Sequence, residues 1–294
     1  MTKFSTTLLA GAALVGLTAA AQAADMGVPL RGPQVLGTMA DPGSSGASGW
    51  YLRGDIGIGI NSGFDLDSSG SEGVTALGGR WLRKDIADTP FISAGLGYQF
   101  TDYLRGDVTF EYRSATRFRG NAIVPDTAPG GVWKYPYYDG QFQVFDTMVN
   151  GYVDLGNYYG LTPYVGAGIG AAYVKMGDVY EHTSFQPAGT MADGMLPSSS
   201  KWNFAWALHT GVSWDVNPRL KLEMGYTYKS LGDIKSAELQ CNTNTGVTTN
   251  CNEWISIKHL ASNDLHLGMR WLLDPKEAKT PVYAPMPTPV VAKY

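Results

Sequence analysis

The feature that most constrains this chain is a period-two alternation of apolar and polar residues that recurs in eight segments. In LRGDVTFEYR, Leu104, Val108 and Phe110 alternate with charged or polar residues. Successive side chains of a β-strand point to opposite faces, so this spacing predicts a strand. With no amphipathic helix between them, the segments predict an all-β fold. They cover residues 50–60, 91–100, 104–113, 143–155, 163–174, 202–214, 220–229 and 263–272.

Alternation alone fits two architectures. A soluble sandwich would bury the apolar faces, whereas a membrane barrel would turn them toward lipid and the charges into its lumen. The N-terminus favours the barrel, because Lys3, the apolar run Leu8–Ala20 and the A-x-A site Ala21–Ala23 predict a cleaved signal peptide over residues 1–23. The alternative, a buried N-terminal helix, has no helical partner downstream. The sequence therefore predicts an exported chain.

The connections between the segments alternate in length. Short links rich in turn residues stand at 101–102, 157–160 and 217–219, and 27 to 33 residues separate the other segments. Short turns on one side and long loops on the other are typical of outer-membrane barrels, and closure leaves no edge strand. We therefore predict an eight-stranded antiparallel up-and-down transmembrane β-barrel over residues 50–273, with four long extracellular loops and short periplasmic turns.

Aromatic residues near the ends of the apolar faces support the same orientation, because aromatic girdles mark both interfaces of a membrane barrel. At the periplasmic rim we expect Trp50, Phe100, Tyr103, Tyr158 and Trp271. At the outer rim we expect Phe110, Tyr112, Tyr173, Trp202, Phe204, Tyr226 and Tyr228.

Charge and composition exclude two further classes. The formal net charge is −4, and removing Lys3 with the signal makes it −5, which argues against a nucleic-acid partner. No mature segment approaches roughly 18 consecutive apolar residues, so the chain is not a helical membrane protein.

Two low-complexity segments flank the predicted barrel. Residues 24–49 are rich in Gly, Pro and Ser, and residues 274–294 form a Pro-rich tail. We predict that both are flexible and periplasmic. The tail is either a solvated leftover or a docking segment for a periplasmic or cell-wall partner.

Three segments carry a resemblance to a known family. GWYLRGDIGIGI (Gly49–Ile60), LTPYVGAGIGAAYV (Leu161–Val174) and LHLGMRWLL (Leu265–Leu273) resemble the first, fifth and last strands of small outer-membrane β-barrels, which include opacity-like surface antigens and porin-family immunogenic proteins. The resemblance implies a location in the Gram-negative outer membrane, surrounded by lipid and lipopolysaccharide.

The last strand, Leu265–Leu273, is similar to the assembly signal that the barrel-insertion machinery recognises in this family. The resemblance rests on polar His266, Gly268, aromatic Trp271 and apolar Leu273. The family commonly ends on a terminal aromatic residue, whereas about 21 residues follow the strand here.

Charged residues on the predicted lumen faces form a candidate network. An eight-stranded barrel is about wide enough inside for side chains to fill it, and confined charges must pair or hold water. We therefore predict an ion-pair plug, with interstrand glycines making room for Arg and Tyr; a loose plug would instead permit conduction. The network comprises Arg53, Asp55, Arg105, Asp107, Glu111, Arg113, Asp146, Glu223, Asp264 and Arg270, and further inward-facing charges are Lys221, Lys229, Asp154 and Asp215.

The tripeptide Arg-Gly-Asp occurs twice, at Arg53–Asp55 and Arg105–Asp107. Both copies lie within predicted strands with Arg and Asp on the lumen face. Integrin-type adhesion through this tripeptide is therefore not expected.

The histidines do not match the arrangements found in enzymatic barrels. His259, Ser262 and Asn263 faintly resemble the His-x-Ser-Asn signature of lipid A deacylases, but a spacing of three puts His259 and Ser262 on opposite faces of a strand. His182, His209 and His259 do not group as an omptin-like protease would need. We predict no enzymatic activity, no cofactor and no catalytic metal.

The two cysteines, Cys241 and Cys251, lie in the fourth long loop. An even count in an exported chain favours a disulfide that closes an extracellular hairpin. A zinc site is the alternative, but His259 is the only other ligand candidate nearby.

The long loops remain as the functional surface, because they are exposed and carried on a rigid barrel. We predict a non-enzymatic outer-membrane protein that contributes to envelope integrity and surface interactions, with an extracellular loop ligand as a partner. A narrow porin for small solutes is the alternative.

Overall fold

A computed structural model describes residues 49–62, 64–70, 73–125, 133–186, 189–242, 248–250 and 252–273. The predicted signal peptide, residues 24–48 and the tail 274–294 lie outside this range, as do the side chains of Cys241 and Cys251. Within the described part of the chain, no helix is long and apolar enough to cross a membrane. The strands are β1 Gly49–Ser62, β2 Asp65–Gly70, β3 Arg80–Ile86, β4 Thr89–Gln99, β5 Leu104–Pro125, β6 Trp133–Asp154, β7 Leu161–Met176, β8 Val179–Gln186, β9 Thr190–Leu196, β10 Ser199–Asp215, β11 Leu220–Lys235, β12 Gln240–Asn242, β13 Thr248–Asn250 and β14 Glu253–Leu272.

Eight of the described strands close into a ring. The order is β1-β4-β5-β6-β7-β10-β11-β14, and β14 pairs back onto β1 through an antiparallel ladder from Tyr51↔Leu272 to Ser62↔Ala261. Every neighbouring pair in the ring is antiparallel. Because the ring is closed, each of its strands has a partner on both sides. The predicted eight-stranded antiparallel barrel is confirmed.

One end of the ring carries the short turns expected from the sequence. In the turn between β10 and β11, the Asn217 side chain accepts hydrogen bonds from the backbone N–H groups of Arg219 and Leu220, at 2.8 and 2.9 Å. Between β6 and β7, Tyr159 and Gly160 both have positive φ, and the Asn157 side chain accepts from the Gly160 N–H at 2.9 Å. These side chains satisfy backbone donors that the ladder leaves free.

At the opposite end of the ring, the predicted long loops contain β-strands. β2 pairs with β14, β3 with β5, β8 with β6 and β9 with β8, while β5 and β6 run on for 22 residues each. The long connections therefore prolong the barrel wall. We call the prolonged part the loop-side extension; it comprises β2, β3, β8, β9, β12, β13, residues 116–125 of β5, residues 133–143 of β6 and residues 253–260 of β14.

In the part of the ring next to the short turns, which we call the lower part, the outward face is apolar and the inward face is charged. On β5, Val108 and Phe110 point outward, and 63% of Phe110 is exposed. Arg105 and Asp107 on the same strand are buried inside. The alternation of β5 thus has the orientation expected in lipid, with its apolar face outside.

In the loop-side extension this polarity is inverted. A β-bulge after Arg113 shifts the phase of β5, so that Phe118 is fully buried inside while Arg117 and Arg119 are exposed outside. β6 keeps its phase, yet its outward residues change from Phe145 to polar ones such as Gln141. A wall that is apolar inside and carries charged and polar residues among its outward side chains is the arrangement expected in water. This is the point at which the strands of a membrane barrel would leave lipid and enter water.

An apolar core fills the extension and the adjoining part of the ring. Its members come from strands on all sides, which explains how the extension holds together without lipid. The cluster comprises Leu66, Val74, Ile86, Phe118, Ala122, Val124, Tyr138, Phe142, Val144, Met148, Ala172, Val174, Met176, Val179, Leu196, Ala205, Ala207, Leu231, Ile234, Leu239, Ile255, Ile257 and Leu260.

Candidate functional site

A carboxylate at the centre of the lower lumen contacts three arginines. Glu223 of β11 lies 2.6 Å from Arg270 Nε, 3.3 Å from Arg105 Nη2 and 3.8 Å from Arg53 Nη2. All four side chains are buried. The arginines project from β14, β5 and β1, so this cluster connects four strands across the ring.

Two of these arginines, Arg53 and Arg105, also have acidic partners besides Glu223. Arg53 Nε lies 2.8 Å from Asp55, and Arg53 Nη1 lies 3.2 Å from Asp107. Arg105 Nε lies 3.1 Å from Asp154. Buried charges are costly unless they are paired, and these pairs satisfy that requirement.

Tyrosine rings complete the lower cluster. The Arg105 guanidinium lies over the rings of Tyr152 and Tyr164, 4.1 and 4.7 Å from their centroids, and Arg270 lies 5.4 Å from the ring of Tyr51. A cation over an aromatic face is favourable, especially when it is desolvated. The rings also fill space that would otherwise hold water.

A second cluster lies closer to the extension. Lys229 Nζ is 2.8 Å from Glu111 and 3.2 Å from Asp146. Arg113 Nε is 2.8 Å from Glu111, and its Nη2 is paired with Asp264. These five groups connect β5, β6, β11 and β14.

The structure places all ten residues of the predicted lumen network inside the ring, divided between these two clusters. Lys229 and Asp154, which were also predicted to face inward, belong to these clusters as well. Lys221 Nζ lies 2.6 Å from Asp215 Oδ1, but both side chains are only partly buried. What the sequence did not reveal is the central position of Glu223, because nothing in its own strand distinguishes it from other inward-facing acids.

Between the clusters lies a cavity of about 30 Å³. It is lined by polar groups that include His209 and His266, and His209 Nδ1 lies 2.9 Å from Thr227 Oγ1 while its Nε2 lies 3.1 Å from Asn150 Oδ1. Such a volume holds about two water molecules. The apolar core of the extension lies beyond it.

Glycines of the ring make room for the large lumen side chains, as the sequence suggested. A Cβ placed on Gly97 would collide with the phenol ring of Tyr51, and one on Gly166 would come within 2.5 Å of the Tyr152 ring. Neither glycine has a positive φ, so close approach and not backbone conformation requires glycine there.

We expect Gly97→Ala to lower the free energy of unfolding by about 1 to 3 kcal/mol, because the methyl group overpacks the lumen against Tyr51. Gly151→Ala is the matched control, since Gly151 lies on the exposed outward face and a Cβ there meets nothing within 4 Å. Urea titrations of the refolded barrel measure both. Equal stability of the two variants would contradict the packing described for Tyr51.

His259 and Ser262, in the middle of β14, lie on different faces. His259 is exposed and has a φ of 55°, whereas Ser262 is fully buried and donates to Asp264 Oδ1 at 2.5 Å. Among the described residues, no group of three or more His, Cys, Asp and Glu side chains could hold a metal ion. Both Arg-Gly-Asp copies lie within strands, and their Arg and Asp side chains are buried.

The outward face of the extension carries a mixed surface of charged and aromatic side chains. Asp139 lies between Arg117 and Arg119, at 3.7 and 3.4 Å. Because these charges of both signs are exposed to water, their pairs add little to stability.

Further across the same face, aromatic and methionine side chains are exposed. Tyr137 stacks on His182 with 6.5 Å between ring centroids, and His182 Nδ1 lies 2.7 Å from Asp193. Tyr180 is 52% exposed and Met191 is 82% exposed. Large apolar side chains exposed to water beside charged ones are typical of interaction surfaces. We call the outward residues Arg117, Arg119, Tyr137, Asp139, Tyr180, His182, Met191 and Asp193 the outer platform.

The chain is similar in sequence to known outer-membrane proteins. A profile of the outer membrane protein beta-barrel domain family matches residues 8–250. An uncharacterised protein of Brucella suis is 33% identical over 207 residues, which cover 62% of this chain and 67% of that protein. The outer membrane protein PagN of Salmonella typhimurium is 28% identical over 198 residues, covering 65% and 78%. A putative adhesin of Rickettsia bellii is 26% identical over 208 residues, covering 70% and 82%.

Proposed function

Because this chain belongs to the outer membrane protein β-barrel domain family and is a protein of the outer membrane, we propose that it is a closed, non-enzymatic barrel that acts through its loop-side extension. In this role it engages extracellular ligands and contributes to envelope integrity. The observation that carries the proposal is the inversion of polarity, which raises a β-structured wall above the lipid and exposes the outer platform to water.

The packed interior argues against the alternative role of a narrow porin. Two ion-pair clusters occupy the lumen, a cavity of about 30 Å³ lies between them, and an apolar core follows. A solute would have to separate buried charge pairs, each of which is expensive to break. The relation to a putative adhesin supports a surface role.

The proposed partners follow the same division of the molecule. Outer-membrane lipid surrounds the apolar outward band, and lipopolysaccharide lies next to the base of the extension. The last strand, Leu265–Leu273, engages the barrel-insertion machinery during assembly. Its outward residues Leu265, Leu267, Met269 and Trp271 are exposed, as a lipid-facing strand requires.

Adherence of bacteria to cultured epithelial monolayers tests the surface role. A Gram-negative strain without adhesins should bind more strongly when it displays this protein. With the double variant Tyr180→Ala/Met191→Ala, the gain in adherence should be about fivefold smaller, because truncating a central contact typically costs about 1 kcal/mol or more of binding free energy. Tyr159→Ala removes a fully exposed aromatic residue at the short-turn end and should leave adherence unchanged. No gain from the wild-type protein would reject the adhesive role.

Two further measurements separate the remaining roles. Refolded protein in planar bilayers should show no conductance steps, and steady steps would instead support the porin.

Deleting the gene in its host should increase sensitivity to detergents, and the wild-type gene should restore resistance. Unchanged sensitivity would remove envelope integrity from the proposal.

A further inference from the structure

Two acidic side chains lie inside the apolar core of the loop-side extension. Glu181 projects inward from β8 and Glu253 from β14, and they are only 9% and 5% exposed. A carboxyl group in apolar surroundings is costly when charged, so its position there needs an explanation. The two groups come from different walls of the extension, and neither belongs to the lumen clusters or to the outer platform.

Hydroxyl groups from three strands hold these carboxyls in place. Tyr138 of β6 donates to Glu253 Oε1 at 2.6 Å, and Ser68 of β2 donates to the same oxygen. Thr183 of β8 donates to Glu181 Oε1 at 2.7 Å. Tyr138 is also the ladder partner of Glu181. The Tyr138 hydroxyl therefore connects the wall formed by β6 and β8 with the wall formed by β2 and β14.

The charges facing Glu181 do not compensate for its burial. Among the described residues, the titratable groups that act on it are Glu253 from β14 and Tyr138 and Lys134 from β6. β9 contributes Gly194 opposite Glu181, and the link after β11 contributes Leu239. Burial, followed by repulsion from Glu253, raises the pKa of Glu181 to about 7. Burial and the two acids also raise the pKa of Tyr138, which keeps its proton.

We propose that Glu181, Glu253 and Tyr138 form a proton-operated clasp that ties the β6–β8 wall to the β2–β14 wall. With a proton on Glu181, the carboxyl pair carries at most one negative charge, and the hydroxyl network holds the walls together. When Glu181 loses this proton to water, two carboxylates repel each other in apolar surroundings and the walls loosen. The barrel below is unaffected, because its ladder closes independently.

The direction of the pH effect follows from proton linkage. The closed extension binds the Glu181 proton more tightly than the opened one, in which this carboxyl has an ordinary pKa of about 4.5. Stability of the closed form is therefore fully present below that value, falls as pH rises toward about 7, and is constant above it. Opening of the extension should be far more frequent at about pH 8 than at about pH 5.

Hydrogen–deuterium exchange of the refolded full chain in lipid nanodiscs tests the clasp, with rates corrected for the intrinsic effect of pH. Protection of Val179–Leu196 should fall by roughly tenfold to a hundredfold between about pH 5 and about pH 8, since each unit of pKa shift corresponds to a factor of ten. Protection of β1 and β4 in the lipid-facing ring should stay constant. Equal protection of Val179–Leu196 at both pH values would overturn the proposal.

Variants identify the group that titrates. Glu181→Gln imitates the protonated side chain and should keep high protection at both pH values. Glu238→Gln removes an exposed carboxylate of the same region and should retain the wild-type pH dependence. Glu253→Gln removes the neighbouring charge and should move the midpoint to lower pH, which gives an independent reading if Glu181→Gln does not assemble. Wild-type pH dependence in Glu181→Gln, or an unmoved midpoint in Glu253→Gln, would contradict the clasp.

Discussion

Glu223→Gln should lower the free energy of unfolding by about 3 to 5 kcal/mol, because breaking a buried ion pair leaves its partners uncompensated. Glu223 contacts Arg53, Arg105 and Arg270 within 3.8 Å, and all are buried. Glutamine has nearly the same volume, so the loss would come from charge and not from a cavity. Arg53 and Arg105 would keep their aspartate partners, whereas Arg270 would be left with the neutral side chains of Gln99 and Ser213.

Urea titration of the barrel refolded in lipid vesicles measures this loss. Glu238→Gln makes the same chemical change at an exposed position and should stay within about 0.5 kcal/mol of wild type. A shift of the Glu223→Gln barrel as small as that of the control would show that Glu223 is not the centre of the plug. Glu223→Asp keeps the charge at a shorter reach and should recover part of the stability.

The orientation of side chains within the ring could be predicted from the sequence, because it depends only on the period of the strand. Alternation assigned Val108 outward and Asp107 inward, and the structure has them so. The predicted signal peptide, the alternating connection lengths and the aromatic ends then favoured the barrel over the sandwich. None of these steps requires knowledge of which strands cross the lumen from each other.

The pairing of lumen charges could not be predicted in the same way. Along β5, Asp107 stands two residues from Arg105, yet its arginine partner in the structure is Arg53 of β1, and Asn150 of β6 donates to it at 2.8 Å. Such partners depend on how far each strand is shifted along its neighbour when the ring closes. Strand alternation contains no information on that shift.

The loop-side extension was also beyond sequence reasoning, for a different reason. The β-bulge between Arg113 and Thr116 changes which residues of β5 face inward, so one strand presents two alternation patterns of opposite phase. On β6 the phase is kept, but the outward residues change from apolar Phe145 to polar Gln141. The predicted strands of β5 and β6 therefore ended where the strands leave lipid.

A charge placed on the apolar outward face of the ring should also reduce stability strongly. Val108→Arg should cost about 2 to 4 kcal/mol of folding free energy in vesicles, because an arginine near the midplane of the bilayer must lose its water or distort the lipid. Asp107→Asn, on the neighbouring inward position, should cost less, since Arg53 keeps Asp55 at 2.8 Å. The reverse order would mean that the faces of β5 are inverted.

A comparison of Val108→Arg with Gln141→Arg in the same vesicles shows most directly where the lipid-facing surface ends. Both positions lie on the outward face, but Gln141 stands beyond the inversion of polarity, opposite Arg117. If lipid surrounds only the apolar band, Gln141→Arg should cost less than about 1 kcal/mol, mainly from like-charge repulsion with Arg117, while Val108→Arg costs about 2 to 4 kcal/mol. Equal costs, or a greater cost at Gln141, would place lipid around the extension and contradict a water-exposed interaction surface.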